Sequence, residues 1–260
     1  MPKLLAFDLD GTIVTRDHRL PDRIRDAIRR AEREGHTVTV ITGRTERSAR
    51  PYLEALGIAQ PYGTSQGARI TLSDGTVLHQ ELLDPDVVRS IMQSSRTSVQ
   101  SYFVSAGERF YVDDPEHEGW GWARAEGHDL HAYHAYGGES ADKLMFVAQD
   151  AAELQKAIKE LHPDLMFYPW EGRYLEVTTA GAHKGEALKR IAAQLGFEQE
   201  DTVAFGDGLN DISMLRWAGR GIAVGKADPG VLEVADEHIP PPEEDGVAIW
   251  LERNLLKAAA

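Results

Sequence analysis

The sequence predicts a doubly wound, parallel α/β sheet interrupted by an inserted α+β block. Three observations carry that prediction. Strand and helix patterns alternate in the first third of the chain and again in the last third, while the middle reads as paired short strands with turn signals between them. The chain has 260 residues, 42% hydrophobic and 27% charged. Those are ordinary globular proportions, enough for one large or two modest domains.

Leu4–Phe7 is a short apolar run that stops at Asp-Leu-Asp-Gly, as a buried parallel strand does when it enters a tight loop. After Pro21, Ile24, Ala27, Ile28 and Ala31 recur at helical spacing, and Gly35 supplies the stop. Thr37–Ile41 is rich in β-branched residues and reads as the next strand. Ala49, Tyr52, Leu53 and Leu56 repeat the helical spacing up to Gly57. Ser73-Asp74-Gly75 joins Arg69–Leu72 to Thr76–His79 as a hairpin.

Beyond it, Val99–Val104 with Arg109–Asp113 and Leu165–Tyr168 with Tyr174–Thr178 read as further hairpins. Helical stretches are expected near 85–94, 116–126 and 151–161. In the last third, Leu188, Ile191, Ala192 and Leu195 form a helical stripe ended by Gly196. Thr202–Phe205 is a strand, Asp211–Ala218 a short helix, Gly221–Val224 a strand and Val247–Leu256 a closing helix. The expected division is a core of residues 1–81 and 180–260 with an antiparallel insertion at 82–179.

Asp and Glu outnumber Lys and Arg by 42 to 28, a net charge of −14, which disfavours nucleic acid and anionic lipid as partners. An acidic chain that handles phosphate needs a local cation. There is no cysteine, so disulfides, thiolate nucleophiles and Cys-ligated metals are excluded. The first residues lack a signal-like apolar stretch, and no run approaches the roughly 20 apolar residues of a membrane span. The expectation is a soluble cytoplasmic protein, a monomer or small homo-oligomer.

The chemistry gathers where strands end. Asp8-Leu9-Asp10-Gly11-Thr12 follows the first strand, and ligands in open α/β sheets bind beyond the carboxyl ends of strands. Two acids two residues apart either cap a turn or divide a phosphoryl transfer, one attacking phosphorus while the other moves the proton. Thr42-Gly43-Arg44 offers a hydroxyl and a backbone N–H after the second strand. Lys184 opens the Leu188 helix, where its charge could hold phosphate. Gly206-Asp207-Gly208-Leu209-Asn210-Asp211 follows the Thr202–Phe205 strand and brings two more carboxylates. Hard oxygens from Asp8, Asp10 and Asp207 suit Mg²⁺.

These four elements, D-x-D-G-T, T-G-R, H-K-G-E-A-L and G-D-G-x-N-D-I-S-M-L, resemble the motif set of the haloacid dehalogenase superfamily, and in particular its Cof-type phosphatases with a type IIB cap. The resemblance spans nearly the whole chain and implies a Rossmann-like core in which 82–179 is the substrate-specificity cap. It implies that Asp8 is the nucleophile and a Mg²⁺ ligand, and that Asp10 is the general acid/base with its carbonyl on the metal. Leu9, Thr42, Gly43, Lys184 and Asn210 then hold the phosphate, Asp207 is the third metal ligand, and Asp211 orients Lys184 or a metal water. One departure is Gln66-Gly67-Ala68, where the family often has Asn-Gly-Ala.

The implied activity is Mg²⁺-dependent hydrolysis of small phosphorylated metabolites, sugar phosphates foremost, through an aspartyl phosphate. A phosphotransferase or phosphomutase using the same intermediate, a receiver-like signalling module and a catalytically silent phospho-ligand binder are the alternatives. Arg44, Trp170, Arg173 and Glu176 are the expected readers of the leaving group, with Trp170 stacking on a ring. His128, His131 and His134 recur every third residue but share a helical face only loosely, so a metal role is discounted. Gly221–Lys226 has three residues between its glycines and no Ser or Thr after the lysine, so it is not a P-loop.

Overall fold

The structure, a computed structural model, describes residues 1–95, 98–170 and 172–257. Along the chain run β1 (Leu4–Phe7), α1 (Asp22–Arg33), β2 (Thr37–Val40), α2 (Glu46–Leu56), β3 (Tyr62–Thr64), β4 (Arg69–Thr71) and β5 (Val77–Gln80). Then come α3 (Pro85–Ser95), β6 (Val99–Ala106), β7 (Arg109–Val112), α4 (Gly121–Ala125), β8 (Asp129–Ala132), β9 (Lys143–Ala148), α5 (Ala151–Leu161), β10 (Met166–Trp170) and β11 (Tyr174–Thr178). The chain closes with α6 (Lys184–Leu195), β12 (Thr202–Gly206), α7 (Ile212–Trp217), β13 (Arg220–Val224), α8 (Pro229–Leu232), β14 (Glu237–Ile239) and α9 (Gly246–Asn254). It forms two compact units, one of Met1–Arg44, Ala49–His79 and the segment from His183 onward, the other of Thr45–Ser48 and Gln80–Ala182.

In the first unit the main sheet has the order β14-β13-β12-β1-β2, with every neighbouring pair parallel. Side chains alternate along β1, so Leu5 and Phe7 enter one core while Leu4 and Ala6 enter the other. Helices α1, α2 and α9 cover the first face through Ile24, Ile28, Leu53 and Leu251; α6 and α7 cover the second through Leu188, Ile191, Met214 and Leu215. Phe7 and Phe205 stack at 4.8 Å between ring centroids. A fully buried side chain of that size stabilises by about 1.5–3 kcal/mol. β1 continues to β2 on one side and is flanked by β12 on the other. The crevice between the loops after β1 and β12 is therefore the switch point where ligands bind in such sheets. A small antiparallel sheet, β3-β4-β5, includes β3, which the sequence reading had not assigned.

The second unit is a six-stranded sheet, order β10-β11-β9-β6-β7-β8. The expected β6–β7 and β10–β11 hairpins form. Two corrections apply. β9 is an unexpected interior strand, because Lys143–Ala148 is buried on both faces and shows no period-2 signal. The sheet is also not wholly antiparallel, since β7 pairs with β8 in parallel. The chain crosses back between them through the short helical stretch of 118–125, and a parallel pair requires such a crossover. A 3-10 turn at Glu118–Trp120 running into α4 forms the helical stretch expected near 116–126. Among the described residues, no helix is long and apolar enough to cross a membrane.

Candidate active site

The first unit brings the sequence-predicted residues of its four loops together. Asp8 is tied to the end of β12, its N–H donating to the Phe205 carbonyl at 3.0 Å. The chain then folds tightly: the N–H groups of Thr12, Ile13 and Val14 all donate to the Leu9 carbonyl, at 3.2, 3.0 and 2.8 Å. Leu9 puts its side chain wholly in the core, which leaves only its backbone to face a ligand. Gly11 has φ +77°, and a Cβ there would overlap the Asp207 carboxylate. The glycine thus lets Asp207 close on the first loop, where Thr12 Oγ1 donates to Asp207 Oδ1 at 3.3 Å.

Lys184 is delivered by the first turn of α6. His183 caps that helix, its Nδ1 accepting from the Glu186 N–H at 3.2 Å. Gly185 allows α6 to approach α7, since a Cβ there would lie 2.6 Å from the Ser213 carbonyl oxygen. Lys184 is fully buried, with Nζ 2.7 Å from Asp8 Oδ1 and 2.6 Å from Asp211 Oδ1. Asp211 Oδ2 accepts the N–H groups of Asp207 and Gly208, both at 3.0 Å. Its two oxygens are thereby spent on orienting the lysine and shaping the Asp207 loop.

Carboxylate oxygens of Asp8, Asp207 and Asp211 lie within 4.8 Å of one another. Three acids, Asp8 and Asp211 buried and Asp207 partly buried, gather around one ammonium, and the electrostatics register the imbalance. Burial pushes the Asp8 carboxyl well above its usual range, against the pull of Lys184 and with help from the neighbouring acids. Burial and the Asp211 charge push Asp207 up to about 7. Burial lowers Lys184, but Asp211 and Asp8 outweigh it and hold the ammonium above its ordinary value. Hard oxygen donors carrying surplus negative charge fit a small divalent cation, which would offset the repulsion.

Asp10 lies outside that cluster, with its side chain half exposed and gripped by Arg44. Arg44 Nε donates to Asp10 Oδ2 at 2.8 Å and Nη2 to Oδ1 at 2.7 Å, a two-pronged contact that fixes the carboxylate. Arg44 also lies over the Tyr52 ring at 4.8 Å. Thr42 Oγ1 accepts the Arg44 N–H at 3.1 Å. Asn210 Nδ2 donates to Gln66 Oε1 at 3.0 Å. That bond is absent from the sequence reading, which noted Gln66 only as a departure from the family pattern.

Within the second unit, Trp170 stacks on Tyr174 at 3.9 Å and remains 41% exposed. The Arg173 guanidinium lies 5.2 Å from the same tyrosine ring. Glu176 is buried and paired with Lys143, Nζ to Oε1 at 3.2 Å, so it is not the solvated charge that a strand position alone suggests. The histidines point to separate partners: His128 stacks on Phe110 and contacts Ser48 Oγ at 2.8 Å, while His131 pairs with Asp129 at 2.8 Å.

Comparison with known proteins places the chain among phosphatases in sequence and in fold. The HMP-PP phosphatase of Enterobacter sp. (strain 638) is 32% identical over 258 residues, which cover 92% of this chain and 90% of that protein. The 5-amino-6-(5-phospho-D-ribitylamino)uracil phosphatase YcsE of Bacillus subtilis (strain 168) is 29% identical over 256 residues, 98% of this chain and 96% of the relative. Among solved structures, the HAD subclass IIB sugar phosphatase BT4131 shares the fold, with a TM-score of 0.83 at 23% identity over 96% of this chain and 98% of that one. The family model for haloacid dehalogenase-like hydrolases matches residues 5–251. A match of that extent, over the loops just described, makes this chain an enzyme of the haloacid dehalogenase-like hydrolase family.

Proposed function

We propose that this enzyme is a Mg²⁺-dependent phosphatase of small phosphorylated metabolites, sugar phosphates foremost, that works through a phosphorylated Asp8. The observation that carries the reading is the trio of carboxylates, two buried and one partly buried, around a single buried lysine at the ends of β1 and β12. The relatives' names, which include phosphatases of HMP-PP and of a phosphoribitylamino-uracil, support small phosphorylated substrates.

Asp8, Asp207 and the Asp10 carbonyl hold the Mg²⁺, which supplies charge to neutralise the phosphoryl oxygens. Thr42, Lys184, Asn210 and the N–H groups of Leu9 and Gly43 hold the phosphate for in-line attack. An Asp8 oxygen bonds to phosphorus as the bond to the leaving oxygen breaks, and Asp10 gives its proton to that oxygen. Asp10 then takes a proton from water as the water oxygen attacks phosphorus. The bond to Asp8 breaks, leaving inorganic phosphate and the free carboxylate. Preorganised positive charge and N–H donors do most of the lowering of the barrier.

Residues 82–179 act as the cap that selects the leaving group, with Trp170, Arg173 and Glu176, together with Arg44 of the core, as the readers of that group. A net charge of −14 and the absence of cysteine suit a cytoplasmic enzyme, monomeric or a small homo-oligomer, that needs neither nucleic acid nor membrane. The test is phosphate release from a panel of phosphorylated sugars, nucleotides and small acids, with Mg²⁺, with EDTA and with Asp8→Asn. Metal-dependent release that Asp8→Asn abolishes is expected, with a sugar phosphate preferred. Release that survives Asp8→Asn would overturn the nucleophile assignment.

A further inference from the structure

Ser65, Gln66 and Gly67 hold φ of 50°, 63° and 94°, three left-handed residues in a row. This backbone is strained for any side chain, and Ser65 and Gln66 are both buried. Such a pair persists only where its surroundings over-determine it, commonly beside a functional group. Two hydrogen bonds to the Thr42-Gly43-Arg44 loop do so here: Ser65 N–H to the Arg44 carbonyl at 2.7 Å, and Gln66 N–H to the Thr42 carbonyl at 3.0 Å. Gly67 completes the turn under α6, where a Cβ would stand 2.9 Å from Ala187 Cβ and 3.0 Å from the His183 carbonyl oxygen.

The strain decides where the Gln66 side chain ends. Its Oε1 accepts from Asn210 Nδ2 at 3.0 Å. Its Nε2 lies so close to Gly43 that a Cβ on that residue would come within 2.5 Å. One carboxamide therefore spans the loop after β2 and the loop after β12, which are remote in sequence.

We propose that Gln66 is a positioning residue that locks Asn210 and Gly43 into a single phosphate-holding unit. This rests on the reading of those two residues as phosphate contacts. A carboxamide has a donor end and an acceptor end of nearly the same shape. An unanchored Asn210 can turn its oxygen toward an anion and repel it. Gln66 Oε1 accepts only from the nitrogen end, so it fixes Asn210 with its second N–H left to give. The packing of Nε2 on Gly43 sets the other loop at the same time, and donors fixed before the ligand arrives need no reorganisation when it binds.

The test is a double-mutant cycle of Gln66→Gly and Asn210→Ala, read as the KM for phosphate release with Mg²⁺ and as competitive inhibition by inorganic phosphate. Gln66→Gly relieves the strained φ, so the melting temperature holds or rises. KM and the phosphate inhibition constant nonetheless rise about tenfold, the scale of one lost hydrogen bond. Gln66→Met keeps the length and the strain but not the polar end, and it shows the same loss. Because part of what Gln66 does runs through Asn210 and part through Gly43, the double variant loses less than the product of the two single losses.

Losses that multiply in the double variant, or phosphate inhibition unchanged in both Gln66 variants, would overturn the proposal. If the unaltered protein releases no phosphate from any substrate, the functional reading fails and this one falls with it. Release that persists with a multiplicative cycle sinks the positioning role alone.

Discussion

Lys184 in the first unit and Lys143 in the second are both buried, yet the acids around them are matched differently. Lys143 pairs with the Glu176 carboxylate at 3.2 Å and sits 5.8 Å from the Phe103 ring within a packed sheet. Lys184 faces Asp8 and Asp211 directly, with Asp207 beside them, so its pocket carries surplus negative charge. A balanced buried pair is part of a finished structure. An unbalanced one is held in place by the rest of the fold and keeps an open demand for a cation, which is how a site differs from a core.

Lys184→Met probes the largest effect. It leaves the buried Asp8 and Asp211 carboxylates without their ammonium and, on the proposed function, removes a phosphate contact. Phosphate release should fall by about 10³-fold or more, on the scale of losing a preorganised electrostatic group. Steady-state kinetics on the preferred substrate checks this, and activity within tenfold of the unaltered enzyme would show that the site does not depend on this charge.

Breaking the balanced pair should affect folding first. Lys143→Met removes the ammonium paired with buried Glu176 and should cost about 3–5 kcal/mol of stability, whereas Lys143→Met with Glu176→Leu should recover most of it. Denaturant unfolding of the single and double variants decides this. A double variant as unstable as the single one would show that the pair does more than neutralise itself.

A smaller effect sharpens the comparison through pH. Asp207 is pushed up to about 7, so the metal-free folded state holds a proton there more tightly than the unfolded chain does. Its contribution to stability is therefore present at low pH and is lost as pH rises through about 7. A divalent cation competes with that proton. Added Mg²⁺ should raise the melting temperature by a few degrees at pH 8, on the order of 1 kcal/mol for a chain this size, and by less at pH 6. Asp207→Asn should remove the difference. Equal shifts at both pH values, or a shift that survives Asp207→Asn, would locate the cation elsewhere.

Much of this was legible before any coordinates, for identifiable reasons. Leu4–Phe7 ends at the expected residue because a buried parallel strand and a glycine-opened acidic loop leave separate, strong local signals. α1 shows its buried face through Ile24, Ala27, Ile28 and Ala31, which meet one core at helical spacing. β9 was silent because both its faces are buried, and an unbroken apolar run has no period to betray a strand. The parallel pairing of β7 and β8 was silent because direction is a property of the crossover and not of either strand. Gln66 was visible as an unusual residue, but its role was not, since nothing near it in sequence announces a contact with Asn210.

The sequence by itself determined the chemical inventory and its address. The acids, the lysine and the threonine stand at strand and helix ends, and in a parallel sheet those ends share one edge. Only the tertiary structure decided how that inventory is wired. It pairs Lys184 with Asp8 and Asp211, grips Asp10 with Arg44, ties Gln66 to Asn210 and neutralises Glu176 with Lys143. The physical reason is range. Periodicity and turn signals act over a few residues, while burial, charge balance and hydrogen-bond direction are set by groups that meet only after the chain has folded.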